Sequence, residues 1–487
     1  MTPTQPPPVP AQLSGLLPSG RVGLRVVVCW LAIVASAVAV AVAVQNAKSS
    51  PRDSASIRPA AQELVSGRYA VGAMSIGSVR TSVGAGEPLI RPLRESADTP
   101  ARQLRLAILL AELRGPTDAE AALPPVPPSN TPPDAPVEPA TGVDANESPE
   151  AKRDLAADVT LVRRILADGN AGGLTDAQRN QLTDNHGWFG RLALAFGAPA
   201  TDPVRSKVIA DARRTFALML GVGGSLLVVM LAGVVLMVVG GVLLLTKSLP
   251  FPAGPEPVDA TGVPHVLLLE AFAVYLAVLA GSMLWGQLNL PGGRWVGMPL
   301  MLAATIGLLF WPALRGEGVT LGQSMRAMGL HGGPRGWLGE AFFGVVGYVA
   351  LLPLVGAAFV LTILLSRWAS ADATHPIVDG LTGPAVVLVL LFLLAVVWAP
   401  LTEEIFFRGM FFGHARRIMP WPVASAVVGV IFALMHPQGW TAMPLLATLG
   451  FNFAVLRQWR GGSLVAPIAA HALNNGTVLT LAVLLLR

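Results

Sequence analysis

The sequence predicts an all-α fold: a polytopic transmembrane helix bundle of about nine membrane helices, with a small helical extramembrane region between the first two. Three observations predict it. Of the 487 residues, 53% are hydrophobic and only 13% charged, and the mean hydropathy is +0.59, a balance that does not suit a soluble globular class. Apolar windows of about 20 residues, enough to cross a bilayer core, recur at 24–44, 215–246, 264–286, 296–314, 337–366, 382–412, 421–437, 441–457 and 464–486. Short Gly/Pro-marked loops such as "LPFPAGPEPVDATGVP" and "NLPGGRW" separate several of them.

Residues 1–23 are a Pro-rich tail, uncharged up to Ser19, that cannot bury a core and is expected to be disordered. The apolar run 24–44 follows Arg21 and is long for a secretory signal, so it is expected to remain as an anchor, with cleavage near the small residues Ala41 and Ala43 as the alternative. Cys29 is the single cysteine, which excludes an intramolecular disulfide. Residues 45–214 alternate periodic stretches with a Pro-rich acidic linker at 115–147. Before it, Thr99 and Pro100 form an N-cap and first helical position. After it, Ser148-Pro149 opens a second helix through Ile165, and Thr175 with Gln178 makes a capping box for a third. This region contains no repeat, nucleotide loop or metal-ligand cluster, and its partner is not readable. Residues 215–319 are further membrane helices, and 320–487 hold the residues that carry chemistry.

The net charge of +5 does not point to nucleic acid, because the arginines flank apolar segments instead of covering one soluble face. Short-loop arginines at 315, 326 and 335, at 416 and 417, and at 457 and 460 alternate correctly if those loops are cytoplasmic. The N-terminus is then cytoplasmic and 45–214 lies outside, although Arg213 and Arg214 run against that scheme. The expected location is a bacterial-type plasma membrane, where the lipid bilayer is a partner.

"LTEEIFFRGM", residues 401–410, places two carboxylates and a guanidinium at the end of an apolar run. A charge at membrane depth costs at least about 2.5–3.5 kcal/mol, so such residues need partners or a polar cavity. On one helix Glu404 and Arg408 stand i,i+4 with the acid first, the favourable order for an ion pair. Glu403 points about 100° away and is left free. A snorkelling membrane edge is the alternative for all three.

The next window ends in "FALMHPQ". Glu403 and His436 each lie about sixteen residues from the turn near 419–420, roughly 24 Å along a helix, so they should share a depth. In the last window "APIAAHALNNGTV" sets His471 and Asn475 i,i+4 on one face. Hydrogen-bonding glue between helices is the competing reading of that pair. The other histidines, at 186, 265, 331, 375 and 414, occur singly and are read as structural, while Asn452 is a possible cavity residue.

Together "EEIFFR", "FALMH" and "HALNN", in this order on three membrane helices, resemble the CPBP family, which comprises the type II CAAX prenyl proteases and the Abi-type or bacteriocin-processing proteins. The resemblance extends over 320–487 and leaves residues 1–300 outside. It implies an all-helical intramembrane endopeptidase with a hydrated cavity, acting on a membrane-anchored peptide or protein. Glu403 then matches the catalytic glutamate, with Glu404 and Arg408 completing the first motif. Phe432 and His436 match the second and His471 and Asn475 the third, with no motif position substituted.

Amide hydrolysis needs an activated water and a stabilised oxyanion. Glu403 and His436 are the candidates for activating the water, and His471 and Asn475 for donating to the intermediate. A zinc or other divalent metal held by Glu403, His436 and His471 and a metal-free glutamate mechanism both suit these residues. No HExxH is present, which excludes the usual zincin helix, and no serine nucleophile with a paired histidine is evident. A non-catalytic scaffold or immunity protein is the alternative function. An ion-coupled transporter is a further one, disfavoured because no paired halves with broken helices appear.

Overall fold

Helix is the only regular structure among the described residues, which in this computed structural model are 19–48, 61–76, 87–125, 149–252, 261–287, 293–369, 381 and 383–486. The chain begins with α1 (Ser19–Lys48) and a series of shorter helices: α2 (Ala61–Met74), α3 (Glu87–Glu95), α4 (Pro100–Arg114), α5 (Pro116–Ala122), α6 (Pro149–Asp168), α7 (Asp176–His186) and α8 (Trp188–Leu194). Long α9 (Pro203–Leu245) leads to α10 (His265–Gln287), α11 (Gly293–Leu309), α12 (Trp311–Arg315), α13 (Leu321–Ala327) and α14 (Gly336–Trp368). The last four are α15 (Ala385–Ile418), α16 (Trp421–Leu434), α17 (Met443–Trp459) and α18 (Val465–Leu486).

Among the described residues six helices are long and apolar enough to cross a membrane: α1, α9, α10, α14, α15 and α18. The protein is a multi-pass integral membrane protein. Three of the windows read in the sequence form shorter helices, so a count of nine is not reached. Window 296–314 is broken at Phe310, where Pro312 begins the separate α12 and leaves α11 with 17 residues. α16 has 14 residues and ends before the turn at Pro437 and Gly439, whose φ is +81°. α17 has 17 residues and stops at Arg460, followed by Gly461 at φ +61°. The first window's helix starts earlier than its apolar run, and α9 likewise starts at Pro203, so Arg213 and Arg214 lie inside a continuous helix.

The chain divides into two compact units. In the unit Ser50–Val228 with Leu481–Arg487, Thr99 caps α4 by accepting from the Arg102 N–H, and Thr175 with Gln178 closes a capping box on α7. Residues Pro116–Ala122, read in the sequence as linker, are helical: Pro116 occupies the first position and Ala119 is fully buried. The rest of that linker from residue 126, and His375, lie outside the described residues. Leu104, Leu110, Val162, Leu182 and Phe189 meet in one core, each burial worth about 1.5–3 kcal/mol. Buried Arg105 makes a bidentate pair with Glu63 at 2.6 and 2.9 Å.

The other unit, Met1–Ser49 with Val229–Thr480, has its apolar side chains in a setting where lipid is as apolar as leucine, so close fit and internal polar bonds hold it together. α1 lies along α10, burying Ile33, Ala37 and Val40 in one cluster with Leu269, Phe272 and Leu276. Arg25 of α1 pairs with Glu270 of α10, which accounts for a carboxylate on an apolar helix. α10 also stacks on α15: Phe272 on Phe411 at 4.5 Å and Tyr275 on Phe406 at 4.0 Å. α16 and α17 pack as a hairpin so closely that a Cβ on Gly450 would sit 2.8 Å from the Gly429 Cα, the small-residue contact that lets membrane helices approach.

Candidate active site

The polar residues singled out in the sequence sit on α15, α18 and the turn after α16. α15 is not a uniform α-helix. Leu393–Trp398 and Glu404–Phe412 are π-helical, with Glu403 ending the α-helical turn between them. Such i→i+5 stretches are frequent at functional sites. Here the change of register begins between the two glutamates.

Glu404 and Arg408 are both fully buried and pair at 3.0 Å. The guanidinium also donates to the Gly450 carbonyl at 2.9 Å, which the close approach of α16 and α17 brings within reach. Its Cζ lies 4.5 Å from the Phe432 ring centroid and 5.2 Å from that of Phe453, so aromatic faces replace the water a buried guanidinium would lose. The membrane-edge alternative is excluded for this pair by its burial.

His471 Nδ1 lies 2.9 Å from Glu404 Oε1, the oxygen that also receives Arg408. Phe453 stacks on the imidazole at 4.8 Å and 20°. A carboxylate beside a guanidinium accepts hydrogen bonds, so His471 carries its hydrogen on Nδ1. His436 lies just past the end of α16, not on it, because the helix stops at Leu434. Its Nδ1 sits 2.6 Å from the Phe432 carbonyl, one of the last carbonyls of that helix, which a C-terminal histidine commonly satisfies. A carbonyl only accepts, so this histidine too is fixed as the Nδ1–H tautomer.

With both Nδ1 positions committed, the two Nε2 atoms face Glu403. Its Oε2 lies 3.9 Å from His436 Nε2 and 3.8 Å from His471 Nε2. That oxygen is buried and makes no hydrogen bond. If both imidazoles are neutral, their Nε2 lone pairs and the Glu403 oxygen are three acceptors facing one another, and whatever lies between them must bring hydrogens or positive charge.

The donor types suit a divalent metal, and Glu404 behind His471 and the Phe432 carbonyl behind His436 are the supporting partners metal-binding histidines usually have. The spacing is wider than a metal needs. Zinc with bonds of about 2.0–2.1 Å puts tetrahedral ligands about 3.3–3.4 Å apart, whereas a water bonded to two acceptors at about 2.8 Å each separates them by about 4.0–4.4 Å. The observed 3.8 and 3.9 Å lie nearer the second range. Among the described residues no three His, Cys, Asp or Glu side chains lie close enough to hold a metal.

Asn475 is bonded to other groups: its Nδ2 donates to the Ala395 carbonyl at 2.9 Å, and its Oδ1 accepts from Asn474 Nδ2 at 3.0 Å. Asn474 in turn accepts from the Tyr348 hydroxyl at 2.9 Å. Asn452 donates to the Leu351 carbonyl at 3.5 Å, a long bond. Phe453, Tyr348 and Asn474 were not singled out in the sequence. A tyrosine in an apolar helix, whose hydroxyl needs a partner when buried, was the available signal for Tyr348.

Two histidines read as single are paired: His265 Nδ1 and His414 Nδ1 are 2.9 Å apart although 149 residues separate them. His186 is bonded to Asp158 at 3.0 Å, both fully buried. His331 accepts from the Gly333 N–H.

Residues 385–477 match the family model described as "Type II CAAX prenyl endopeptidase Rce1-like". The matched segment carries all three motifs through which the sequence resembles the CPBP family. No curated protein and no solved structure matches the chain.

Proposed function

We propose, from the premise that residues 385–477 belong to the type II CAAX prenyl endopeptidase-like family, that this protein is an intramembrane endopeptidase whose nucleophile is a water held between Glu403, His436 and His471. One observation carries the reading: a buried carboxylate oxygen without a hydrogen bond faces two imidazole nitrogens at 3.9 and 3.8 Å. A water there can give one hydrogen to Glu403 and the other to one imidazole Nε2.

In this reading Glu403 takes a proton from the water as its oxygen attacks the scissile carbonyl, then passes that proton to the departing amine as the C–N bond breaks. The hydrogen not given to Glu403 goes to an imidazole Nε2 lone pair, which orients the water. A neutral His471 with its hydrogen on Nδ1 has none at Nε2 to give, so we assign it to the water. The donor to the oxyanion is then Asn475, whose amide keeps one N–H beyond that given to Ala395. Glu404, locked by Arg408, holds the His471 tautomer, and Phe432 holds the His436 ring edge and Nδ1. A divalent ion bound by Glu403, His436 and His471 would lower the pKa of its water and polarise the carbonyl; the spacing favours the metal-free form.

The substrate in this reading is a membrane-associated protein or peptide. The side chains of Glu403 and His436 are 22% and 19% exposed, enough for access to an otherwise closed site. Comparative proteomics of membranes carrying wild type or Glu403→Gln tests the proposal. A peptide terminus formed only with wild type is expected, and identical termini from both would refute proteolysis.

A further inference from the structure

The three side chains Tyr348, Asn474 and Asn475 form a chain of hydrogen bonds that ends on a backbone carbonyl, and its direction can be deduced from that end. In the π-helical stretch Leu393–Trp398 the Ala399 N–H is given to the Leu394 carbonyl, five residues back. By the same register the Ala395 carbonyl would receive residue 400. That residue is proline, which has no N–H. The carbonyl is left without a helical donor, and Asn475 Nδ2 supplies one at 2.9 Å.

A carbonyl accepts only, so Asn475 must turn its NH2 toward α15 and its oxygen toward Asn474. Asn474 must then present its own NH2 to that oxygen at 3.0 Å, which leaves its Oδ1 facing Tyr348. The hydroxyl at 2.9 Å must donate. Every amide in the chain is thereby oriented without choosing between amide flips. The Tyr348 O–H is the last donor in the series, and it comes from α14, outside the matched segment.

We infer that Tyr348 is a positioning residue for the reaction, holding Asn474 so that the Asn475 amide keeps its oxygen turned away and its remaining N–H available for the developing oxyanion. This rests on the reading of Asn475 as the oxyanion donor. Without the tyrosine hydroxyl, Asn474 Oδ1 has no donor and its amide is free to turn over. The bond it gives to Asn475 is then steadied from one side only, so the Asn475 amide, though still anchored by Ala395, loses its fixed neighbour.

Tyr348→Phe removes one oxygen and keeps the ring. Asn474→Leu keeps the shape and removes the relay. Cleavage is read as the rate at which Glu403-dependent peptide termini appear in membranes carrying the full chain. Each variant is expected to slow it about 10- to 100-fold, the usual effect of an outer-shell partner, and the double variant no further than either single one, because one pathway is cut in both. In parallel, the side-chain amide signal of Asn475, identified by its loss in Asn475→Asp, is followed by 15N NMR of the asparagine-labelled chain. Both single variants are expected to shift it. An unchanged Asn475 signal in both variants, or single losses that multiply in the double variant, overturns the relay. If no Glu403-dependent terminus exists, the proteolysis reading fails, while the amide signal still decides whether Tyr348 sets Asn475.

Discussion

Replacing Arg408 with leucine leaves Glu404 without its guanidinium in a fully buried position. The carboxylate keeps only the His471 Nδ1–H, at 2.9 Å, and the Gly450 carbonyl loses its donor at 2.9 Å. Removing one partner of a buried ion pair destabilises by about 3–5 kcal/mol, or roughly two to three and a half powers of ten in the unfolding constant. The double variant Arg408→Leu with Glu404→Leu removes both charges, and replacing a buried pair with apolar side chains is often near neutral. It still strands the His471 N–H, worth about 1–3 kcal/mol. The double variant should therefore be more stable than Arg408→Leu alone. Reversible unfolding of the full chain by denaturing detergent in mixed lipid micelles, followed by tryptophan fluorescence, measures both. A single variant within about 1 kcal/mol of wild type, or a double variant less stable than the single, would refute the account of Arg408 as the balancing charge. The double variant should not retain Glu403-dependent cleavage, because His471 loses the Glu404 carboxylate that fixes its tautomer.

Gly450→Ala should cost about 1–3 kcal/mol as an overpacked contact, since the new Cβ would lie 2.8 Å from the Gly429 Cα; thermal unfolding checks it, and the displaced Gly450 carbonyl should slow cleavage as well. Phe432→Ala should cost about 3–5 kcal/mol as a large-to-small change, because the ring packs on His436 at 4.3 Å and on Arg408 at 4.5 Å; the same unfolding assay reads the loss. In the other unit Asp158 is fully buried and accepts from Gln181 and Asn185 while bonding His186. Asp158→Ala should therefore destabilise it by roughly 3 kcal/mol or more through the donors left unpaired, seen as faster hydrogen exchange in peptides from α6 and α7. Treating membranes with a strong divalent chelator should leave the Glu403-dependent cleavage rate unchanged, and loss restored by added zinc would place a metal between the three acceptors.

The meeting of Glu403 with His436 was legible because membrane helices impose regular depth, whereas that of His471 with them was implied only by the family resemblance. Equal chain lengths on either side of the turn near 419–420 put the first two at one level, and the structure has them 3.9 Å apart. The ion pair was legible from i,i+4 spacing. Its third member was not, because nothing in the spacing of "HALNN" shows that His471 reaches across to Glu404. The π-helical register of α15 was also hidden. Pro400 marks a missing N–H but does not say which carbonyl is left over, or that a side chain on α18 fills the gap. The difference between nine apolar windows and six long helices among the described residues has a similar origin: apolar windows register composition, while Pro312 and the glycines at 439 and 461 end helices inside or beside them. The short helix Pro116–Ala122 was obscured by a proline-rich surrounding, although proline at a first helical position favours a helix.

The central claim is that two neutral imidazoles turn their Nε2 lone pairs toward Glu403 and share a water with it. Histidine 15N NMR on the full chain in lipid reads this directly, with His436 and His471 signals assigned by their single substitutions. Both rings should show the hydrogen on Nδ1 and a bare Nε2, and Glu403→Gln should shift both Nε2 signals. Rings that carry their hydrogen on Nε2, or Nε2 signals indifferent to Glu403→Gln, would contradict it.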